Sequence, residues 1–526
     1  GETRFSLKPG AKRVFPLPKP EKFGVRFIKA TLAGNISGTI SKRLSYCYMK
    51  PSGPTAGRAK GFLFGVCVHT QKFPLAEQER EVMAAAWCGA KVFREDIGWW
   101  RVERKQGKWD WSYYDQLITL YEKQGIELQA ICAWVPGWVL GKFNRTGCPE
   151  EWGEFIRRFA KHYRGRVRYM EVWNEPDINT FGKNPERYLE LLRIAYEETK
   201  KQAPEMVVMT GGVSGMVTTE RQTAFVRRML RDGKGSYDVI AFHGHGSLSN
   251  YLTHLNPFLA ARKEFGITAP WYPNETAEPS NWSSETGQAV TLFKKLLVSW
   301  ARGAIGYNWY DLRNDGVNPK NAEHNYGMLT QDFYPKPVYA TYNMLAGTFR
   351  EAEFLEDAEP GRPLQAYLFR SRENGYLLPA WSDESGEALL AVAGEGTFSR
   401  LDLYGNREPL PMLDGFTAYA VGTLPATLLN SGTGKKPVIR GHFLSTEGAF
   451  NLVPGESRNM ELELNNPTKS ELAFQIKLIL PKGFPAYAQP RCRRCAPAKS
   501  ADSHFLCRRD GIFAPCRIGL RQSESN

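Results

Sequence analysis

The sequence predicts an α/β protein, a (β/α)8 TIM barrel with accessory β-sandwich and immunoglobulin-like domains. From Gly61 onward, short runs of β-branched and aromatic residues alternate eight times with helical patterns. After Ala346 this alternation stops, and short β runs separated by Gly and polar turns take its place. A chain of 526 residues has room for a barrel of about 250 residues and several smaller units.

The barrel is predicted to span residues 59–346. Its helices are indicated by apolar residues that recur at helical spacing over 152–163, 188–195 and 289–301, after the third, fourth and seventh strands. We place the eight strands at 62–68, 91–94, 128–133, 167–173, 207–211, 239–242, 271–274 and 304–309.

Four further segments surround this barrel. Residues 1–58 are predicted to be an N-terminal β segment, the part of a β domain that pairs with strands from elsewhere in the chain. Residues 347–430 are predicted to form a β-sandwich domain, and 437–485 an immunoglobulin-like β module. The basic tail, 486–526, is expected to be disordered, because the spacings of its cysteines at 492, 495, 507 and 516 match no zinc-site template well.

The net charge of +14 is concentrated at the two ends of the chain. Residues 1–60 hold 13 Lys and Arg against two acidic residues, and 491–526 hold eight against three, so 61–490 is nearly neutral. A nucleic-acid partner is therefore not expected for the barrel. No run of 18 apolar residues occurs, which argues against a membrane span.

Two carboxylates follow predicted strands. Glu175 ends the fourth strand within Trp-Asn-Glu-Pro, and Glu275 ends the seventh, with Glu278 left open as its competitor. The carboxyl ends of barrel strands converge on one mouth, and hydrolysis of a sugar acetal needs two carboxyl groups there. Other candidates for substrate binding at strand ends are Arg94, His69, Trp134, Asn174, His243, His245 and Trp309. Aromatic residues make up 13% of the chain, which suits sugar binding but equally suits core packing.

Trp-Asn-Glu-Pro resembles the acid/base motif of the clan A glycoside hydrolases, and residues 61–428 resemble bacterial enzymes related to family 39. The wider resemblance includes the segments 109–111, 136–138, 309–313, 325–327 and 335–337. It implies that Asn174 contacts the sugar 2-hydroxyl and that Glu175 protonates the leaving oxygen. Around Glu275 the sequence departs from the Thr-Glu-x-Gly pattern, since Asn274 precedes it and Ala277 follows.

The resemblance also implies that Arg94 keeps the nucleophile ionised and that Trp309-Tyr310 forms a platform under the reacting sugar. The expected activity is retaining hydrolysis of β-glycosidic bonds in oligo- or polysaccharides, without a metal or a cofactor. The alternatives are an α-L-iduronidase-like or β-galactosidase-like hydrolase, or a catalytically inactive carbohydrate-binding barrel. The sequence does not assign a location, although an extracellular or periplasmic bacterial one is expected over a cytoplasmic one.

Overall fold

The computed structural model describes residues 4–17, 19–33, 39–52, 58–142, 148–178, 180–384, 387–432 and 434–442, together with six short strands beyond them. The chain begins with an antiparallel hairpin of β1 (Gly24–Ala33) and β2 (Thr39–Tyr48). Eight parallel strands follow: β3 (Leu63–Cys67), β4 (Val92–Gly98), β5 (Glu127–Ala133), β6 (Tyr169–Val172), β7 (Val207–Thr210), β8 (Ile240–His245), β9 (Trp271–Ala277) and β10 (Gly306–Trp309).

These eight strands form the predicted barrel. Their order is β7-β6-β5-β4-β3-β10-β9-β8, and parallel bridges from Met209 to Val239 and from Val213 to Phe242 join the two outer strands. All eight predicted strands are confirmed. Strand β4 continues four residues beyond its predicted end, and β8 and β9 continue three, which carries them further toward the mouth.

Helices surround the barrel, and local sequence explains several of their ends. Pro149, Pro185 and Pro337 stand at first-turn positions, where a missing backbone N–H costs nothing, and the side chains of Asn184 and Ser284 accept hydrogen bonds from first-turn amides. The helices are α1 (Leu75–Cys88), α2 (Trp99–Val102), α3 (Ser112–Lys123), α4 (Gly137–Lys142), α5 (Pro149–His162), α6 (Pro185–Gln202), α7 (Glu220–Asp232), α8 (Leu248–Glu264), α9 (Glu285–Ala301) and α10 (Pro337–Thr348).

The domain after the barrel consists of two antiparallel sheets. The strands are β11 (Glu353–Asp357), β12 (Leu364–Ser371), β13 (Gly375–Ser382), β14 (Ala388–Ala393), β15 (Thr397–Leu401), β16 (Arg407–Leu410), β17 (Phe416–Val421), β18 (Ala426–Ser431) and β19 (Val438–His442). One sheet has the order β11-β12-β13-β18-β15-β16 and the other β17-β14-β19. Of these nine strands, the sequence patterns predicted five, missed β11, β16 and β18, and assigned β19 to the next module.

Aromatic packing joins this domain to the barrel. The ring of Trp300 on α9 stacks on Phe62 at 4.0 Å and meets Phe369 of β12 edge-on at 5.1 Å. Phe369 also contacts Phe349, which follows α10, at 5.3 Å. Part of the sandwich therefore belongs to the hydrophobic core of the barrel, while its other buried residues form a separate core of their own.

The segments at the two ends differ from the predictions in several places. Within the described residues β1 and β2 pair only with each other, and the hairpin is attached through the backbone N–H of Phe23, which donates to Asn406 Oδ1 at 2.7 Å. Strand β19 pairs with β14, so 438–442 belongs to the sandwich and not to the predicted module 437–485.

Beyond β19 the structure describes only short strands, separated by residues that lie outside the described part of the chain. Cys516–Arg521 pairs with Ser457–Leu464 and Pro490–Cys492, and Ala473–Gln475 pairs with His504–Leu506. Three of these strands, Pro490–Cys492, His504–Leu506 and Cys516–Arg521, lie in the tail that was expected to be disordered. The rest of 486–526, and most of 443–485, lies outside the described residues. No helix in the described part of the chain is long and apolar enough to cross a membrane.

Candidate active site

A cavity of about 340 Å³ opens at the carboxyl ends of the barrel strands. Seven of the nine residues proposed from the sequence line it, and they come from the ends of six strands or the turns after them: His69, Arg94, Trp134, Asn174, Glu175, His245 and Glu275. They converge because the eight parallel strands end on the same side of the barrel.

Glu275 stands in β9 among positively charged and potentially charged groups. Arg94 Nη1 donates to its Oε2 at 2.5 Å, and His245 Nε2 lies 3.1 Å from its Oε1. Burial by itself would raise the pKa of the Glu275 carboxyl, but His243, Arg94 and His245 together outweigh burial and hold that pKa well below its usual range. Glu275 is therefore ionised at neutral pH.

Glu175 lies just beyond β6, where the backbone bends sharply. Trp173 and Glu175 have φ angles of 73° and 45°, in the left-handed region that non-glycine residues rarely occupy. Three atoms lie within 4.8 Å of one another: a carboxylate oxygen of Glu175, a carboxylate oxygen of Glu275 and a ring nitrogen of His243. The bend thus brings a second carboxylate to face Glu275.

His243 lies between the two carboxylates. Its Nδ1 is 3.0 Å from Glu175 Oε1 and its Nε2 is 3.8 Å from Glu275 Oε2. Burial acts to lower the pKa of the imidazole, but the two carboxylates outweigh burial and raise it. The ring is buried and does not line the cavity, so His243 is placed to orient Glu175 rather than to bind substrate.

A buried ion pair that the sequence patterns did not single out supports this arrangement. Glu171 of β6 is fully buried and accepts from Arg94 Nε at 2.7 Å and Arg94 Nη2 at 2.9 Å. Asn274 Nδ2 and the backbone N–H of Gly212 also donate to Glu171, at 2.8 and 2.9 Å. The guanidinium is therefore held rigidly between two carboxylates. The sequence signal that could have revealed Glu171 is the presence of an acidic residue within an apolar strand.

We expect Glu171→Ala to destabilise the protein by about 3–5 kcal/mol, because the buried Arg94 charge loses a counter-ion it cannot replace with water. Thermal unfolding followed by circular dichroism measures the change. The control is Glu154→Ala, since Glu154 pairs with Arg157 and Arg158 on the surface of α5 and should contribute no more than about 1 kcal/mol. Equal shifts in the two variants would contradict the buried-pair argument.

Asp96 lies two residues after Arg94, but Arg94 pairs with Glu171 and Glu275. Asp96 Oδ1 instead accepts from Trp134 Nε1 at 2.9 Å, and the partly exposed Trp134 ring lines the cavity.

Glu278, the competitor for Glu275, lies away from the cavity. It is 8% exposed, accepts a hydrogen bond from Thr291 Oγ1 of α9, and is not among the lining residues. The structure therefore brings Glu275, and not Glu278, to the side opposite Glu175.

Of the pair Trp309-Tyr310, which was predicted to form a platform, Trp309 does not line the cavity. Its ring is fully buried, and its Nε1 donates to the carbonyl of Tyr326 at 3.1 Å, because the returning segment around 326 covers the end of β10. Tyr310 and Tyr326 line the cavity instead, with ring centroids 5.5 Å apart.

The segment after β10 and the residue His69 form a polar wall, in which Asp315 and Glu323 are residues that the sequence patterns did not single out. His69 Nδ1 lies 2.8 Å from Asp315 Oδ1, and Tyr310 hydroxyl donates to Glu323 Oε2 at 3.2 Å. Of these residues, His69, Tyr310 and Glu323 line the cavity on the side of β3 and β10 and present several hydrogen-bonding atoms there.

A closed eight-stranded barrel with facing carboxylates after its fourth and seventh strands, the first preceded by Asn174, defines the class of protein as a glycoside hydrolase of clan A. The family model described as glycosyl hydrolase family 10 matches residues 55–190. A sequence comparison with curated proteins finds no match.

Among solved structures, the chain is similar to a family 39 glycoside hydrolase from the gut symbiont Bacteroides cellulosilyticus WH2, with 22% identity, a TM-score of 0.65, and coverage of 78% of this chain and 88% of that one. A family 39 β-xylosidase from Caulobacter crescentus has 16% identity and a TM-score of 0.52, covering 72% and 97%. A glucosidase from Croceicoccus marinus has 10% identity and a TM-score of 0.51, covering 73% and 98%. At these identities the likeness establishes a shared fold.

Proposed function

We propose that the protein hydrolyses β-glycosidic bonds of oligo- or polysaccharides with retention of configuration, with Glu275 as nucleophile and Glu175 as acid/base. The observation that carries this proposal is the separation of the carboxylates, whose nearest oxygens lie within 4.8 Å of one another. Retaining enzymes hold their carboxyl groups about 5–5.5 Å apart, whereas inverting enzymes leave about 6.5–9.5 Å for a water molecule.

The two carboxylates have different surroundings, which suits different roles. In the first step a Glu275 oxygen forms a bond to the anomeric carbon while the bond to the leaving oxygen breaks, and the proton of Glu175 passes to that oxygen. In the second step Glu175 takes a proton from water, the water oxygen bonds to the anomeric carbon, and Glu275 is released. The low pKa of the Glu275 carboxyl suits a group that must begin ionised.

Asn174 has a geometry that suits binding of the sugar 2-hydroxyl. Its Oδ1 accepts from Arg94 Nη2 at 2.7 Å, which fixes the amide and leaves its NH2 group for the substrate. Arg94 therefore orients both Asn174 and Glu275, and it links the sugar contact to the nucleophile.

The charge of the cavity favours a neutral sugar over the uronic acid that an α-L-iduronidase-like enzyme binds. Of the described lining residues, Asp96, Glu175, Glu275 and Glu323 are acidic, and each of the basic ones, His69, Arg94 and His245, already contacts a carboxylate. A sugar carboxylate would meet like charges with no free cation to offset them. The presence of both facing carboxylates argues against an inactive carbohydrate-binding barrel.

The test is the stereochemistry of the first product. We expect ¹H NMR during hydrolysis of a 4-nitrophenyl β-glycoside to show the β-anomer of the free sugar first and the α-anomer only as mutarotation proceeds. The substrates are the xyloside, glucoside, galactoside and glucuronide, of which the glucuronide should be the slowest.

Other results would change the proposal. An α-anomer formed first would contradict retention, and fastest turnover of the glucuronide would favour the iduronidase-like alternative. Fastest turnover of the galactoside would favour the alternative of a β-galactosidase-like hydrolase. If the protein hydrolyses none of the four glycosides and none of xylan, β-glucan and mannan, the result would favour the alternative of a catalytically inactive carbohydrate-binding barrel.

A further inference from the structure

Trp282 is a large apolar side chain that is exposed to solvent at the mouth of the barrel. It lies in the segment 278–284, which connects β9 to α9, and it is 63% exposed. Because β9 carries Glu275 and its carboxyl end faces the mouth, this connection lies on the same side of the barrel as the cavity. An exposed tryptophan next to a polar cavity offers an apolar ring face on which a ligand can pack.

The segment that carries Trp282 is attached to the barrel on both sides of the ring. The backbone N–H of Ser280 donates to the carbonyl of Asn325 at 3.1 Å, and Asn281 Nδ2 donates to the carbonyl of Pro319 at 3.1 Å. On the other side, Ser284 caps α9 by accepting from the amide of Gly287 at 2.8 Å. The exposed position of the ring is therefore built into the loop.

A row of rings connects Trp282 to the reaction centre. The ring of His245, whose Nε2 lies 3.1 Å from Glu275, is 5.3 Å from that of Tyr326, and Tyr326 is 6.5 Å from Trp282. Tyr326 lines the cavity, whereas Trp282 does not. Trp282 therefore lies one ring beyond the residues that would surround the reacting sugar, along the same rim.

We propose that Trp282 forms a distal sugar-binding subsite, on which a pyranose of the same glycan chain stacks one or more residues away from the bond that is cleaved. The C–H face of a pyranose is apolar and packs on an indole ring, while its hydroxyl groups stay in water. Val317, two residues before Pro319, is 76% exposed and extends the apolar surface of the rim. The inference deepens the proposed function, on which it rests, because it assigns a chain of several sugars as the substrate.

The experiment compares Trp282→Ala with the unaltered enzyme on a short and a long substrate of one sugar series. The probes are 4-nitrophenyl β-D-xyloside and β-1,4-xylohexaose, or the gluco or manno pair if the unaltered enzyme prefers it. We expect kcat/KM for the hexaose to fall by about tenfold or more, as for loss of one stacked aromatic contact, while kcat/KM for the aryl glycoside stays within about twofold.

Trp87 provides the matched control. It is 49% exposed in the last turn of α1, which runs from the mouth to the opposite end of the barrel. Trp87→Ala should leave kcat/KM unchanged for both substrates. Because the rings of Trp87 and Trp282 are both exposed, neither Trp87→Ala nor Trp282→Ala should lower the melting temperature appreciably.

Each other outcome overturns the inference in a distinguishable way. If Trp282→Ala cleaves the hexaose as fast as the unaltered enzyme, the subsite is absent while the proposed function stands. Equal losses on both substrates would mean that Trp282 shapes the reaction centre instead. A change in elution volume on gel filtration with unchanged hexaose turnover would assign the ring to a protein contact. If the unaltered enzyme cleaves none of the probes, the proposed function fails and the inference fails with it.

Discussion

Glu275→Ala is expected to reduce turnover of a 4-nitrophenyl β-glycoside by at least about 10⁴-fold, because no covalent intermediate can form without the nucleophile. The surroundings of Glu275 explain the size of this effect. Its oxygens lie 2.5, 3.8 and 3.1 Å from Arg94, His243 and His245, which hold it ionised, and the variant leaves these groups without the carboxylate that they position. Initial rates under saturating substrate measure the loss.

Azide supplies the confirming result for this prediction. In Glu275→Ala the small anion can occupy the vacated side and attack the anomeric carbon directly, so activity should return with an α-glycosyl azide as product. The control is Glu278→Gln, which keeps the hydrogen bond from Thr291 and should retain near-normal activity. If Glu278→Gln were dead and Glu275→Ala active, the nucleophile would be Glu278; if both were active, the retaining mechanism would be wrong.

Glu175→Gln is expected to slow substrates with poor leaving groups by about 10²–10⁴-fold, the usual range for loss of a general acid. A 4-nitrophenolate leaves without a proton, so the bond-breaking step of the aryl glycoside should be affected far less than that of an unactivated disaccharide of the same sugar. Pre-steady-state release of 4-nitrophenolate and steady-state hydrolysis of the disaccharide measure the two effects separately.

Glu323→Gln is the control for this comparison. Glu323 also lines the cavity, but it accepts a hydrogen bond from the Tyr310 hydroxyl and belongs to the polar wall rather than to the facing pair of carboxylates. Its variant should slow both substrates by a similar factor. The same pattern in Glu175→Gln would contradict the acid/base role of Glu175.

Much of the site could be located from the sequence because it depends on local patterns. Helical and strand periodicity persists over whole segments, so the eight strands were recognisable one by one. Once these are arranged as a barrel, the residues at their carboxyl ends must converge. This reasoning brought Arg94, Glu175 and Glu275 together before any distance was known, and the structure has all three in one cavity.

Domain boundaries were harder to predict because strand pairing is not local. Strand β18 is hydrogen-bonded on both sides within its sheet, yet its sequence neighbourhood indicated only the end of a domain. In the same way β19 follows a Gly- and Lys-rich linker but pairs with β14, more than forty residues earlier. A sequence pattern indicates that a strand exists, whereas its partner depends on which edge of a sheet is free.

By itself, the sequence determined the barrel, the pair of carboxylates and the arginine beside them, because each follows from periodicity or from position at a strand end. Only the tertiary structure decided which neighbouring residue faces the cavity: Tyr310 rather than Trp309, and Glu275 rather than Glu278. It also disclosed Glu171 as the buried counter-charge of Arg94. The physical reason is that a side chain's direction at the end of a strand depends on backbone bends and on the segments that cover it, and both are set by contacts between residues far apart in sequence.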